Sequence, residues 1–150
     1  MPPTTTLVLP CLCGTLRRSA RALTQRYEEF LRPLGLRSSQ FTILQVLWRV
    51  GETSQGQLGE ILAIDSTSLT RTLAVMRRRR WIAERRGDDR RERWLRLAKS
   101  GEALLNRAVP LWQLAQDRLR ADLGDETWQN LFQITNQLTE TAATRQGVSK

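Results

Sequence analysis

Between Arg71 and Lys99 the chain carries twelve arginines and lysines against four acids, a net of +8, while all 150 residues together reach only +9. Residues 1–70 contribute +2 and residues 100–150 contribute −1, so the excess is local. Positive charge packed into so short a stretch suits a surface that neutralises phosphates, because each cation laid on a nucleic-acid backbone releases condensed counterions. All the cations except Lys99 and Lys150 are arginine, whose planar fork fits phosphates and guanine edges, although a GC-rich genome would produce the same bias. Taken alone, the run Arg77-Arg78-Arg79-Arg80 reads equally well as a solvated helix face.

A second chemistry lies at Cys11 and Cys13. Two cysteines one residue apart make no disulfide framework for a secreted domain and fit a reducing compartment. A thiolate at a helix start near Arg17 and Arg18 has reason to ionise and oxidise readily. Paired thiolates also suit a soft metal or metalloid. The plain alternative is that both are small packing residues. The chain has no histidine, which removes the usual general base, most catalytic triads and the commonest metal ligand. No Gly-rich phosphate loop, Cys-x-x-Cys pair or acidic metal cluster compensates, so no enzyme is expected and no cofactor is required.

The elements that must position these residues follow from periodicity. Leu16, Ala20, Leu23, Tyr27 and Phe30 form one stripe of a helix from about Leu12 to Arg32, ended by Pro33 and Gly35. Ser38 is placed to cap a second helix, apolar nearly all round from Phe41 to Val50 and therefore expected to be buried, with Gly51 at its exit. Ser54 with Gln57 fits a capping box that opens a short helix carrying Leu58, Ile61 and Leu62. Asp65 is placed to cap the next, with Ile64 and Leu69 at the two positions of a hydrophobic staple. Two helices joined so tightly predict a helix-turn-helix.

In the second of these helices Leu69, Leu73 and Met76 form the inner stripe. Ser66, Thr67, Ser68, Thr70 and Arg71 are left on the turns that enter a major groove, with Arg77 further along. By themselves these are also ordinary cap and surface residues. The segments 81–86 and 93–97 predict a β-hairpin whose tip carries Arg86, Asp89, Arg90 and Arg91, placed to enter a minor groove. There an ion pair from Asp89 would restrain Arg91. Two further helices follow, the first kinked at Pro110 and the second capped by Asp125. Together with the N-terminal helix they offer more apolar stripe than one small lobe covers, which points to a second copy related by two-fold symmetry. Residues 1–9 and about 144–150 read as loose ends. The length is that of one domain. No apolar run approaches a membrane span and Leu7-Val8-Leu9 lacks the regions of a signal peptide, so the expectation is a cytoplasmic protein without a membrane partner.

These residues resemble the MarR family of bacterial transcriptional regulators over nearly the whole chain. Leu36-Arg37-Ser38-Ser39-Gln40-Phe41 is similar to the start of that family's second helix, Gln57-Leu58-Gly59-Glu60-Ile61-Leu62 to the first helix of its DNA reader, and Asp65-Ser66-Thr67-Ser68-Leu69-Thr70-Arg71 to its recognition helix. Asp89-Arg90-Arg91, Leu95-Arg96-Leu97 and Gly101 resemble its wing and exit. Ala98 departs from the family's threonine before the long helix, where Ser100 could substitute.

The resemblance implies a mainly α fold with a small β-hairpin wing. Residues 36–99 would form the winged-helix lobe, and residues 12–33 and 100–143 the dimerisation helices of a single domain. It implies a homodimer on pseudo-palindromic operator DNA, usually a repressor released by an effector. Cys13 falls near the reactive cysteine of the family's peroxide sensors and Tyr27 at one of their partner tyrosines, while Ser38 replaces the other. The effectors left open are a thiol oxidant, a soft metal or metalloid, and a small aromatic acid in a cleft lined by Trp48 or Arg17. The competing reading of the whole chain is a non-specific architectural DNA-binding protein.

Overall fold

The expected amphipathic stripe near the N-terminus forms α1 (Leu12–Leu31). The computed structural model describes residues 10–89 and 91–144; the expected loose ends, residues 1–9 and those beyond 144, and Arg90 of the wing lie outside the described residues. Within the chain α1 buries only Leu31 completely, and Leu12 and Leu23 are exposed. A 3-10 turn at Arg32–Leu34 ends it, with Gly35 at φ 63°, a left-handed conformation that glycine adopts without steric cost.

Helix α2 (Ser38–Val50) begins one residue earlier than expected. Ser38 is its first helical residue and not its cap, because Gln40 Oε1 reaches back to accept the Arg37 N–H at 3.0 Å. Ile43, Leu44 and Leu47 are buried, but Trp48 and Val50 are exposed, so the all-round apolar helix is buried on one side only. Gly51 closes it at φ 79°.

Next comes β1 (Glu52–Ser54), three polar-leaning residues that carry no alternating pattern. Helix α3 (Gln55–Leu62) opens with the expected capping box. Ser54 Oγ accepts the Gln57 N–H at 3.2 Å, and Gln57 Oε1 accepts both the Ser54 N–H and the hydroxyl of buried Thr53. Helix α4 (Ser66–Arg78) is capped by Asp65, whose Oδ1 accepts the Ser68 N–H at 2.9 Å. Hydrogen bonds from Ser68 hold the Asp65 carboxyl below the usual aspartate range.

Both α3 and α4 finish in Schellman turns without glycine. Ala63 at φ 50° donates to Glu60 O while Ile64 donates to Gly59 O. Arg80 at φ 59° donates to Arg77 O while Trp81 donates to Met76 O. Each left-handed non-glycine residue costs about 1 kcal/mol, offset here by two satisfied carbonyls and by the burial of Met76 and Trp81.

The expected hairpin is β2 (Ile82–Arg86) and β3 (Arg93–Leu97). It supplies two strands of a three-stranded antiparallel sheet of order β1-β3-β2, in which Thr53 stands opposite Leu95 and Leu95 opposite Glu84. Alternation turns Thr53, Leu95, Leu97 and Ile82 inward, and leaves Glu52, Trp94, Arg96 and Arg85 on the other face.

Helix α5 (Lys99–Leu123) runs unbroken through Pro110. Ala98 O accepts the Glu102 N–H at its start, and Ser100 does not substitute as cap: its hydroxyl donates to Arg80 O. At Gly101 a Cβ would lie 2.0 Å from Trp81 O, so only glycine fits. Helix α6 (Asp125–Thr144) follows Gly124. Asp125 is its first residue and not its cap, and its carboxylate takes Arg120 at 2.6 Å.

Two compact units result, one through Trp112 and one from Gln113 onward. The core of the first gathers Leu31, Leu36, Leu44, Leu58, Leu73, Leu95 and Leu104, with Ile64 and the Trp112 ring packed against it. In the second, Trp128 meets Phe132 edge to face at 5.1 Å, and Leu131, Phe132, Ile134 and Leu138 are exposed.

Candidate nucleic-acid interface

Helices α3 and α4 form the expected helix-turn-helix, anchored by Leu58, Leu69, Leu73 and Met76, all essentially inaccessible. That anchoring fixes which α4 residues face outward. Ser66, Thr67, Ser68, Thr70 and Arg71 are all exposed, as expected from the helical period. They are not equivalent, however. Thr70 Oγ1 accepts a hydrogen bond from Gln55 Nε2 at 2.9 Å, a partner that sequence reasoning missed because the two residues stand fifteen apart on different helices.

The cations divide in a way that charge counting cannot see. Arg77, placed with the DNA-contacting set, sits half-buried against Glu84 of β2. The other oxygen of Glu84 takes Arg93 of β3 at 2.7 Å, so one carboxylate joins α4 to both strands of the hairpin. Across the sheet Glu52 of β1 takes Arg85 with two bonds of 2.7 and 2.9 Å, and the Arg85 guanidinium lies 5.2 Å from the Trp94 ring centre. The hydrogen-bonded Arg85 holds the Glu52 carboxyl below the usual glutamate range, and Glu52 raises Arg85 in return. Arg79 lies over Trp81 at 5.1 Å. Arg71, Arg78, Arg86 and Arg91 have no carboxylate partner among the described residues, and all are exposed, while Arg96 stands opposite Glu52 in the sheet and helps to lower its carboxyl.

At the wing tip the expected ion pair between Asp89 and Arg91 is not formed. Asp89 Oδ1 accepts the Arg91 backbone N–H at 2.9 Å, an Asx turn that shapes the loop and leaves the guanidinium exposed. Gly87 and Glu92 close the loop with an N–H to O bond of 3.0 Å. A Cβ at Gly87 would press on Glu92 and on Trp94 Nε1, so glycine lets the strands turn there. Arg86 ends β2 beside this loop, and Arg90 lies outside the described residues.

Cys11 and Cys13 are both exposed thiols, Cys11 as the residue before α1 and Cys13 in its first turn. Tyr27 is half-buried, and its hydroxyl is pushed above the ordinary tyrosine value by burial, with Arg26 opposing. Among the described residues no three His, Cys, Asp or Glu side chains converge on a metal site, and no helix is long and apolar enough to cross a membrane. Arg17 is exposed on α1, and Trp48, 66% exposed on α2, is the most exposed of the large apolar side chains described.

Comparison with known proteins bears on this geometry. A family model described as MarR family matches residues 34–92. The uncharacterised HTH-type transcriptional regulator YwoH of Bacillus subtilis (strain 168) is 30% identical over 115 residues, 77% of this chain and 84% of that protein. The organic hydroperoxide resistance transcriptional regulator of the same organism is 31% identical over 101 residues, 67% of this chain and 69% of its own length. Among solved structures, the M. tuberculosis transcriptional regulator MosR in complex with DNA superposes with a TM-score of 0.81 at 36% identity, covering 89% of this chain and 97% of that one.

Proposed function

The chain belongs to the MarR family of winged-helix transcriptional regulators, and from that premise we propose that it represses transcription as a homodimer bound to a pseudo-palindromic operator. The observation that carries this reading is the exposed hydroxyl and arginine surface on the first turns of α4, together with Arg86 and Arg91 of the wing, which pair with no carboxylate among the described residues. A DNA-bound structure of the 36% identical MosR supports it. Exposed Leu23 on α1 and Leu131, Ile134 and Leu138 on α6 support the dimer, since such faces are costly in water and two-fold pairing is the commonest way to cover them. The site of action is the cytoplasm, with the operator.

The decisive experiment compares an operator, selected from a random duplex pool, with a scrambled duplex at one physiological salt concentration. A regulator prefers the operator at least about a hundredfold, on the order of 3 kcal/mol. Equal binding leaves the architectural alternative standing.

The exposure of both cysteines favours a thiol oxidant as the releasing signal, and the name of the 31% identical hydroperoxide-resistance regulator points the same way. In this reading the Cys13 thiolate attacks an organic hydroperoxide, becoming a sulfenic acid while the peroxide is reduced to its alcohol. Stoichiometric hydroperoxide then releases DNA from the wild type and not from Cys13→Ser; equal release from both removes the thiol from the mechanism.

A further inference from the structure

The hydrogen bond between Gln55 and Thr70 lies outside the core and does little that the fold needs. The α3–α4 contact is already fixed by Leu58, Leu69 and Leu73 and by the turn at Ala63. A neutral hydrogen bond between accessible side chains adds about 1 kcal/mol or less, because water competes for both partners. Yet it falls on one of the hydroxyls at the groove-facing end of α4 and on the first residue of α3, where the two reader helices come side by side.

We infer that Gln55 is a positioning residue for base readout, its side-chain amide pinning the Thr70 hydroxyl so that the pair, and not Thr70 alone, discriminates one base pair in each half-site. The inference rests on the operator-binding function proposed above. A free threonine hydroxyl turns to donate or to accept as its surroundings ask. Once Thr70 Oγ1 accepts from Gln55 Nε2 at 2.9 Å, one lone pair is occupied and the hydroxyl hydrogen points away from the amide. Thr70 then faces outward as a donor, complementary to an acceptor on a major-groove base edge such as guanine O6 or N7. The Gln55 carbonyl and second amide hydrogen stay available beside it. Holding these groups in place before DNA arrives removes an ordering cost that binding would otherwise carry.

The test uses full-length wild type, Gln55→Met, Thr70→Val and the double variant, each measured against the selected operator and a scrambled duplex. Gln55→Met keeps the length of the side chain and removes its amide. It should lose about tenfold on the operator, about 1.4 kcal/mol, with no change on the scrambled duplex. The double variant should bind no more weakly than Thr70→Val, and repeated selection should show both single variants relaxing preference at the same base pair. Unchanged operator affinity in Gln55→Met overturns the inference, as do losses that multiply in the double variant. So does an equal loss on both duplexes, which would make the pair a phosphate contact. A wild type without preference for any selected duplex overturns the proposed function itself and this inference with it; a preference kept by wild type and Gln55→Met alike overturns the inference alone.

Discussion

Two sets of arginines share the stretch from Arg71 to Arg96, and they do opposite work. Arg77, Arg85 and Arg93 are held by Glu84 and Glu52 and tie α4 and the three strands into one piece. Arg71, Arg86 and Arg91 meet no carboxylate among the described residues and stand outward on the reader helix and the wing. The acids of the sheet therefore decide which cations serve as struts and which stand outward. A net charge of +8 says how strong the field is, and the two glutamates say where it is delivered.

The comparison breaks first at the unpaired set. Arg71→Ala or Arg91→Ala should weaken operator binding by about 1–3 kcal/mol, as loss of a base or groove contact does, with an unchanged melting temperature. Fluorescence anisotropy together with thermal melting checks both halves of that statement, and a variant that melts early while binding normally would move its arginine to the other set. Glu84→Ala should do the reverse. Arg77 and Arg93 lose their shared partner, and stability should fall by about 1–2 kcal/mol in urea denaturation, while the scrambled duplex is bound no more weakly because a negative charge has gone.

A smaller effect belongs to Arg80, whose guanidinium matters less here than its backbone. At φ 59° it should accept glycine with a gain of about 0.5–1 kcal/mol, visible as a rise in melting temperature. The smallest change is expected for Glu52→Gln. The Glu52 carboxyl is held low by Arg85 when folded, so its contribution is present at neutral pH and is lost as the pH falls below the ordinary value of 4.5 and through the folded one. The urea midpoint of the wild type should exceed that of Glu52→Gln at pH 7, and the gap should narrow as the pH falls below 4.5. A gap that widens in acid would show that Glu52 does not act through its charge.

Much of the fold was legible in the sequence because its signals are local. Asp65 before Ser68, Ser54 before Gln57, Gly51 after a helix and the two segments around Gly87 each specify a structure within a few residues. The departures from expectation are local competitions settled by one side chain: Gln40 reaching back to the Arg37 N–H, Asp125 taking Arg120, and the Ser100 hydroxyl donating to Arg80 O. What stayed hidden depends on three-dimensional neighbours. Strand β1 is visible only once β3 lies beside it, and the Glu52–Arg85 pair spans 33 positions. Arg77 looked like its neighbours in a basic run until β2 folded back and presented Glu84, and Gln55 gave no sign of Thr70. The site was thus readable as a surface and unreadable as a set of partnerships.

Gly101 gives the molecule a stiff joint. With a would-be Cβ only 2.0 Å from Trp81 O, and with the Ala98 amide bonded to that same carbonyl at 3.0 Å, main chain rests directly on main chain where the hairpin hands over to the long helix. Side chains in such a seam could repack and absorb a tilt; bare backbone cannot. A shift of the first turn of α5 is therefore felt first at the root of β2, where the two backbones touch.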